Sequence, residues 1–408
     1  MDSTKIITSE FVSYGHPDKV ADQISDALLD AYVEGDKNTR AGIETMIKDN
    51  VVVLGGEVKS NAHIDVEDIV RSVMDNINYP KSHHLSGSDI KIINLIGKQS
   101  SEISRGVDKG MDNCDNIGAD DQGFMVGMAS NETNEYLPLG VYIARQIGQA
   151  ITCLYGFGPD VKTQVTVDYS GNKPKIIMIV VSTMHSDKFH IGEVRNIIMD
   201  GIMNNDLASM NVLNQTIYNE YIKGKEREIC FCINHNGTWN IGGPISDCGV
   251  TGRKIVVDQY GGYCKVGGGS YSGKDMSKVD RSGSYMCRYL AKNIVDAGLA
   301  DTAKVELSYV IGKPSPYVLN IELEGERKSD VIAGMAKQIK MFIFKNIDLT
   351  PSGIIRRFFP NGVQPIFYNT ARNGHYGFNG DNEFYPWEKT DISSALREYI
   401  DDVETNMK

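Results

Sequence analysis

The stretch Ile241–Asp280, IGGPISDCGVTGRKIVVDQYGGYCKVGGGSYSGKDMSKVD, packs glycines, carboxylates and cations together. Glycines let backbone N–H groups approach phosphate oxygens and lysines meet their charge, so this is the composition of a site for a polyphosphate and a metal. Gly268, Gly273 and Lys274 satisfy the first seven places of a P-loop. The eighth needs Ser or Thr to reach Mg2+, and Asp275 stands there. The segment reads as phosphate chemistry organised differently.

At 408 residues the chain is two to three times the roughly 150 residues of one domain, which predicts two or three domains. A formal net charge of -11 argues against nucleic acid or an anionic membrane as partner, because either wants a basic surface. The seven cysteines show neither a C-x-x-C pair nor zinc spacing and read as reduced thiols. MDSTKIITSE at the N-terminus has no apolar signal core, and the aliphatic run Ile176 to Val181 is far short of the roughly 20 residues that span a bilayer. A cytoplasmic protein is expected.

From Gly15, GHPDKVADQISDALLDAYVEGD places Pro17 at a helix start, with Val20, Ile24, Ala27, Leu28 and Ala31 at helical spacing and an acidic opposite face. Strands are predicted at 51–54, 164–167, 176–183, 228–233, 254–257, 305–311 and 317–323, where β-branched residues cluster. Helices are predicted at 66–76, 138–155, 279–297 and 329–345, the third closed by Gly298. Strand clusters without strict strand–helix alternation favour α+β. No close internal repeat is visible. Residues 99–122 are polar and longer than an ordinary connection, and their composition leaves a mobile lid and a plain surface loop both open.

His16 precedes a helix start, with Asp18 and Lys19 in the first turn, where free N–H groups attract anions; a phosphate site and a capping carboxylate beside a solvated histidine fit equally. Gly55, Gly56 and Glu57 read as a strand end whose carboxylate either meets a ligand amine or sits in a surface turn. Asp247, Arg253 and Lys254, then Lys274, Asp275, Lys278, Asp280 and Arg281, interleave with glycines that a solvated helix avoids. Asp18 and Asp280 are hard oxygen ligands of the kind Mg2+ takes beside substrate phosphates. No nucleophile–base pair stands out.

With these residues in view, GHPDK at 15–19, GGE at 55–57, IGKQS at 96–100, PDVKTQV at 159–165, the IGGP to YGG block at 241–262, SGKD at 272–275, KVDRS at 278–282 and PWEKTD at 386–391 resemble the S-adenosylmethionine synthetases, or methionine adenosyltransferases. The family signatures GAGDQG and GGGAFSGKD stand here as GADDQG at 118–123 and GGGSYSGKD at 267–275, so Asp120 replaces glycine, Ser270 alanine and Tyr271 phenylalanine. Thr238 and Trp239 occupy a common Arg-Phe pair.

The resemblance implies attack of the methionine sulfur on C5′ of ATP, then hydrolysis of the tripolyphosphate to pyrophosphate and phosphate. It implies catalytic roles for His16, Lys162, Arg253, Lys254 and Lys274, and ATP contacts from these five with Asp160, Trp239, Asp247 and Ser270. Methionine would meet Glu57, Gln99, Asp247 and Lys278. Asp18, Asp280 and, less centrally, Glu10 would hold two Mg2+ per site, and Glu44 K+. The implied fold is α+β, three similar domains about a pseudo-threefold axis, each a mixed sheet with helices on one face. Its expected segments are 1–14 with 131–241, 15–103 with 242–281, and 110–130 with 282–408, and 99–122 would be the mobile active-site loop. A homodimer or homotetramer with sites between subunits is implied. A P-loop-like phosphotransferase, disfavoured by Asp275, and a catalytically silent nucleotide-binding scaffold are the alternatives.

Overall fold

A computed structural model describes residues 5–98, 117–325, 329–378 and 383–406. The strands are β1 (Ile6–Val12), β2 (Arg40–Lys48), β3 (Val51–Lys59), β4 (Lys91–Asn94), β5 (Gly97–Lys98), β6 (Gly123–Ser130), β7 (Phe157–Asp168), β8 (Lys175–His185), β9 (Cys230–Ile233), β10 (Gly249–Val250), β11 (Thr302–Tyr309) and β12 (Val318–Glu324). They form three sheets: β1-β7-β8-β9; β10-β2-β3-β4, with β5 also on β3; and β12-β11-β6. The first two are mixed, with β9 parallel to β8, and β4 and β5 parallel to β3. The pairings of the third are antiparallel.

One buried helix covers each sheet: α1 (Pro17–Gly35) packs on β2, α2 (Leu139–Thr152) on β1 and β7, and α3 (Val279–Asp296) on β6 and β11. Their apolar positions, such as Val20, Ile24 and Leu28 on α1 and Ile143 and Ile147 on α2, recur at helical spacing and are fully buried. Apolar burial of this kind contributes about 25 cal/mol per Å² removed from water. The three helices thereby join three sheets into one core.

Two expectations need correction. Residues 254–257 do not form a strand: Ile255–Asp258 is a helical turn, closed by Asp258 N–H donating to the Lys254 carbonyl. It sits between Gly252 and Gly261, both at positive φ, so chain reversal overrides the β-branched run. Nor do Gly55, Gly56 and Glu57 end a strand: they lie within β3, Val51–Lys59, where Gly55 and Glu57 pair with Glu44 and Gly42. The acidic face of α1 is buried at Asp18, Asp22 and Asp26. The expected Gly298 stop holds, at φ +66 just beyond α3.

Candidate active site

Residues four apart on a helix lie on one face, and α1 repeats aspartate at 18, 22, 26 and 30. Each carboxylate accepts backbone N–H groups from a distant segment. Asp18 takes Val250 N–H at 3.0 Å, Asp22 takes Gly252 N–H at 2.9 Å and Asp26 takes Gly273 N–H at 2.8 Å. Asp30 takes those of Phe367 and Tyr368 at 2.9 and 2.8 Å. Burial pushes the Asp22 carboxyl up to about 6 and that of Asp30 to about 7. This ladder fastens the glycine-rich segment to α1.

The same segment is also bound to β2. β10 pairs with Ile47 and Met46, and Gly273–Asp275 meet Ala41–Ile43 farther along the same edge. Residues 252–272 arch off between these two anchor points. Gly273 has φ +81, and a Cβ there would lie 1.9 Å from the Ile43 carbonyl oxygen; only glycine lets the strands meet.

At one anchor, Lys254 Nζ lies 2.6 Å from Asp18 Oδ2 and Arg253 Nε 3.6 Å from Oδ1, with half of the Arg253 side chain exposed. His16 caps α1, its Nδ1 accepting Asp18 N–H at 3.2 Å. Burial first, then the Lys254 and Lys162 cations, lower its pKa to about 4. His16 is therefore neutral at pH 7, and because Nδ1 accepts, its proton resides on Nε2 as a free donor. Lys162, on β7, pairs with Glu10 of β1 at 2.8 Å.

At the other anchor, Lys274 Nζ is 2.6 Å from Asp280 Oδ2. A Cβ on Gly269 would lie 1.9 Å from Asp280 Cγ, so the glycine makes room for the carboxylate. Lys278 stands 4.0 Å from Asp120 and 3.9 Å from Asp275. Ser270 packs against the first anchor, its Cβ 2.7 Å from where a Cβ on Gly252 would be. On the uncovered face of the second sheet, Glu57 lies opposite Gly42 and Glu44 opposite Gly55. Partial burial raises the Glu44 carboxyl, opposed by Lys274.

Asp160 accepts Gly243 N–H at 2.7 Å, while its buried Oδ1 has no partner. Burial, reinforced by Asp247, pushes its carboxyl up to about 7. Exposed Asp247 accepts Cys248 N–H at 2.8 Å. Trp239 donates from Nε1 to the Ile241 carbonyl at 2.7 Å and lines a cavity of about 360 Å³ with Ser182 and Asn234–Thr238.

Ten of the sequence candidates thus gather in two groups. His16, Asp18, Arg253 and Lys254 stand with Lys162 and Glu10 near one anchor; Glu44, Lys274, Lys278 and Asp280 stand near the other. Asp18 and Asp280 hold different lysines, and among the described residues no three His, Cys, Asp or Glu side chains form a metal-binding group. Gln99 and residues 99–116 of the expected loop lie outside the described residues. Sequence reading missed Asp22 and Asp26 as loop anchors, although their four-residue spacing with Asp18 was the signal. It also assigned no role to Lys19, buried between Asp22 at 3.0 Å and Asp258 at 2.8 Å.

Residues 4–101, 116–238 and 241–389 match, in turn, the N-terminal, central and C-terminal domains of S-adenosylmethionine synthetase. The chain belongs to the S-adenosylmethionine synthetase family. It is therefore a methionine adenosyltransferase, an ATP-binding transferase that forms S-adenosylmethionine from methionine and ATP; such synthetases are generally metal-dependent. A solved structure titled "Structure of an Unusual S-adenosylmethionine synthetase from Campylobacter jejuni" is similar throughout, at 33% identity and TM-score 0.80, covering 97% of this chain and 99% of that one. Each synthetase segment contributes strands to two sheets: 4–101 supplies β1 and β2–β5, 116–238 supplies β6 and β7–β9, and 241–389 supplies β10 and β11–β12. No helix among the described residues is long and apolar enough to cross a membrane.

Proposed function

We propose that the methionine sulfur attacks C5′ of ATP, breaking the C5′–O bond and releasing tripolyphosphate, which is then hydrolysed to pyrophosphate and phosphate. A thioether has no proton to lose, so catalysis rests on alignment and on stabilising the departing charge. The observation that carries this reading is the set of cations on the carboxylate-fastened segment. Arg253, Lys254 and Lys274 are aimed by Asp18 and Asp280 but keep donors for a polyanion, and neutral His16 offers Nε2–H to a bridging oxygen. Lys162 extends the cationic wall.

Asp160 and Asp247 would meet the ribose, Ser270 the phosphates and Trp239 the adenine, by stacking. Glu57 and Asp247 would take the methionine amine, and Gln99 and Lys278 its carboxylate. Asp18 and Asp280 suit Mg2+, since each is a hard carboxylate already facing one cation at 2.6 Å and Mg2+ takes one or two such ligands beside phosphates. Glu10 could complete that set, and Glu44 suits K+. Bound Mg2+, two per site, would neutralise phosphate charge.

The division into 1–14 with 131–241, 15–103 with 242–281 and 110–130 with 282–408 is supported by the three sheets, each drawing its described strands from one set. A second subunit over the second sheet is supported by a cross-strand row, Met46–Val53–Ile93, in which Met46 and Ile93 are exposed. Glu44 and Glu57 share that face, so a homodimer, alone or paired into a tetramer, would build its sites from both chains. The described cysteines are free thiols, in keeping with the cytoplasm. Product analysis with ATP, methionine, Mg2+ and K+ tests the reaction: methionine-dependent S-adenosylmethionine, pyrophosphate and phosphate are expected, whereas ADP would indicate a kinase.

A further inference from the structure

Asp120 stands where the related hexapeptide carries glycine, and its carboxylate is engaged. Oδ1 accepts Val279 N–H at 2.9 Å, in the first turn of α3. The N-cap of that helix, Lys278, provides no side-chain acceptor of its own, so Asp120 satisfies from outside a donor that would otherwise be free. Its other oxygen lies 4.0 Å from Lys278 Nζ. The backbone beside it is fixed, since Ala119 N–H donates to the Lys313 carbonyl at 3.0 Å and its carbonyl accepts Gly312 N–H at 2.8 Å. Asp275, 3.9 Å from the same ammonium, is already committed to Ala41 and Ser277 N–H groups at 2.8 and 2.9 Å.

We propose that Asp120 is a positioning and specificity-determining residue, pinning the first turn of α3 while standing against the Lys278 ammonium, so that the methionine carboxylate is held less tightly than with glycine at this place. The inference rests on the reading of Lys278 as a methionine contact. An incoming carboxylate must share the ammonium with an anion already there, and two carboxylates gathered on one cation repel each other at the effective dielectric of a partly buried site. Asp120 thus exchanges substrate affinity for a fixed helix start.

Two variants separate the roles. Asp120→Asn keeps an oxygen for Val279 N–H and loses the charge; Asp120→Gly loses both. Titration calorimetry with methionine, and kinetics of S-adenosylmethionine formation, are read on both beside wild type. Both variants should bind methionine about three- to tenfold more tightly, a change on the order of 1 kcal/mol, with the KM for ATP moving far less. Turnover should fall in Asp120→Gly and be rescued in Asp120→Asn. A merely structural role would lower the melting temperature and leave methionine affinity unmoved, and that result, with wild type making S-adenosylmethionine, overturns the inference alone. A wild type that makes none overturns the site reading and the inference together.

Discussion

Asp18 and Asp26 lie on one face of α1, each holds a cation, and the two pairs have opposite designs. Arg281 and Asp26 are sealed, both side chains at 0% exposure, and bound bidentately at 2.7 and 2.9 Å. Every other direction of the guanidinium is spent on Tyr285, the Tyr271 and Lys274 carbonyls and Thr370. Asp18 is as buried, yet its cations reach solvent: Arg253 is half-exposed and Lys254 is 16% exposed. A guanidinium with no donor left can only hold the fold together, whereas cations aimed by a carboxylate but left open on one side can receive a polyanion.

The sharpest way to break the contrast is to cut the sealed pair. Arg281→Met strands Asp26 as a buried uncompensated charge, and removing one partner of such a pair costs about 3–5 kcal/mol; denaturant unfolding should register the loss, and a near-wild-type midpoint would place Arg281 among the open cations. Lys274→Ala should do the reverse. It gives up charge-assisted hydrogen bonds worth roughly 1.5–3 kcal/mol, or about ten- to a hundredfold in turnover if they are made only at the transition state, while the melting temperature changes little because that pair is partly solvated.

The same comparison can be sharpened through pH. Asp160 has its folded pKa raised from 3.8 to about 7, so between these values the folded state holds a proton that the unfolded state has released. Its contribution to stability is therefore present below about 4 and lost as pH rises through 7. Asp160→Asn, which keeps an acceptor for Gly243 N–H, should be more stable than wild type at pH 8, and melting curves should converge at acid pH. The least perturbing test is optical: in a Trp387→Phe background, Trp239 fluorescence should respond to an unreactive ATP analogue, and silence would remove Trp239 from the adenine contact.

The elements that periodicity reveals were legible: the helices from Pro17 and Val279, the strands within β7, β8, β11 and β12, and the glycine stop at 298. β2 was overlooked although Ala41, Ile43, Thr45 and Ile47 alternate, because a strand with one exposed face shows only half its residues as apolar. The turn at 255–258 was misread because glycines on either side, rather than its own β-branched residues, set its path. At the candidate site, motifs identified the cations, but composition could not say which would be sealed. Arg281 and Arg253 look alike in sequence; their difference lies in contacts made by Tyr285, Thr370 and Asp26 on one side and open space on the other.

The ladder on α1 also sets a timetable for synthesis. Asp26 is separated from Arg281 by 255 positions, and Asp30 from the N–H donors of Phe367 and Tyr368 by 337 and 338. A ribosome making about 5–20 residues per second delivers these partners long after the helix. Meanwhile α1 carries carboxylates it cannot bury and an apolar face it cannot yet cover with its final neighbours. Chains halted before Arg281 should therefore be prime clients of chaperones and proteases, and lesions late in the sequence should reduce cellular yield by stranding the beginning of the protein.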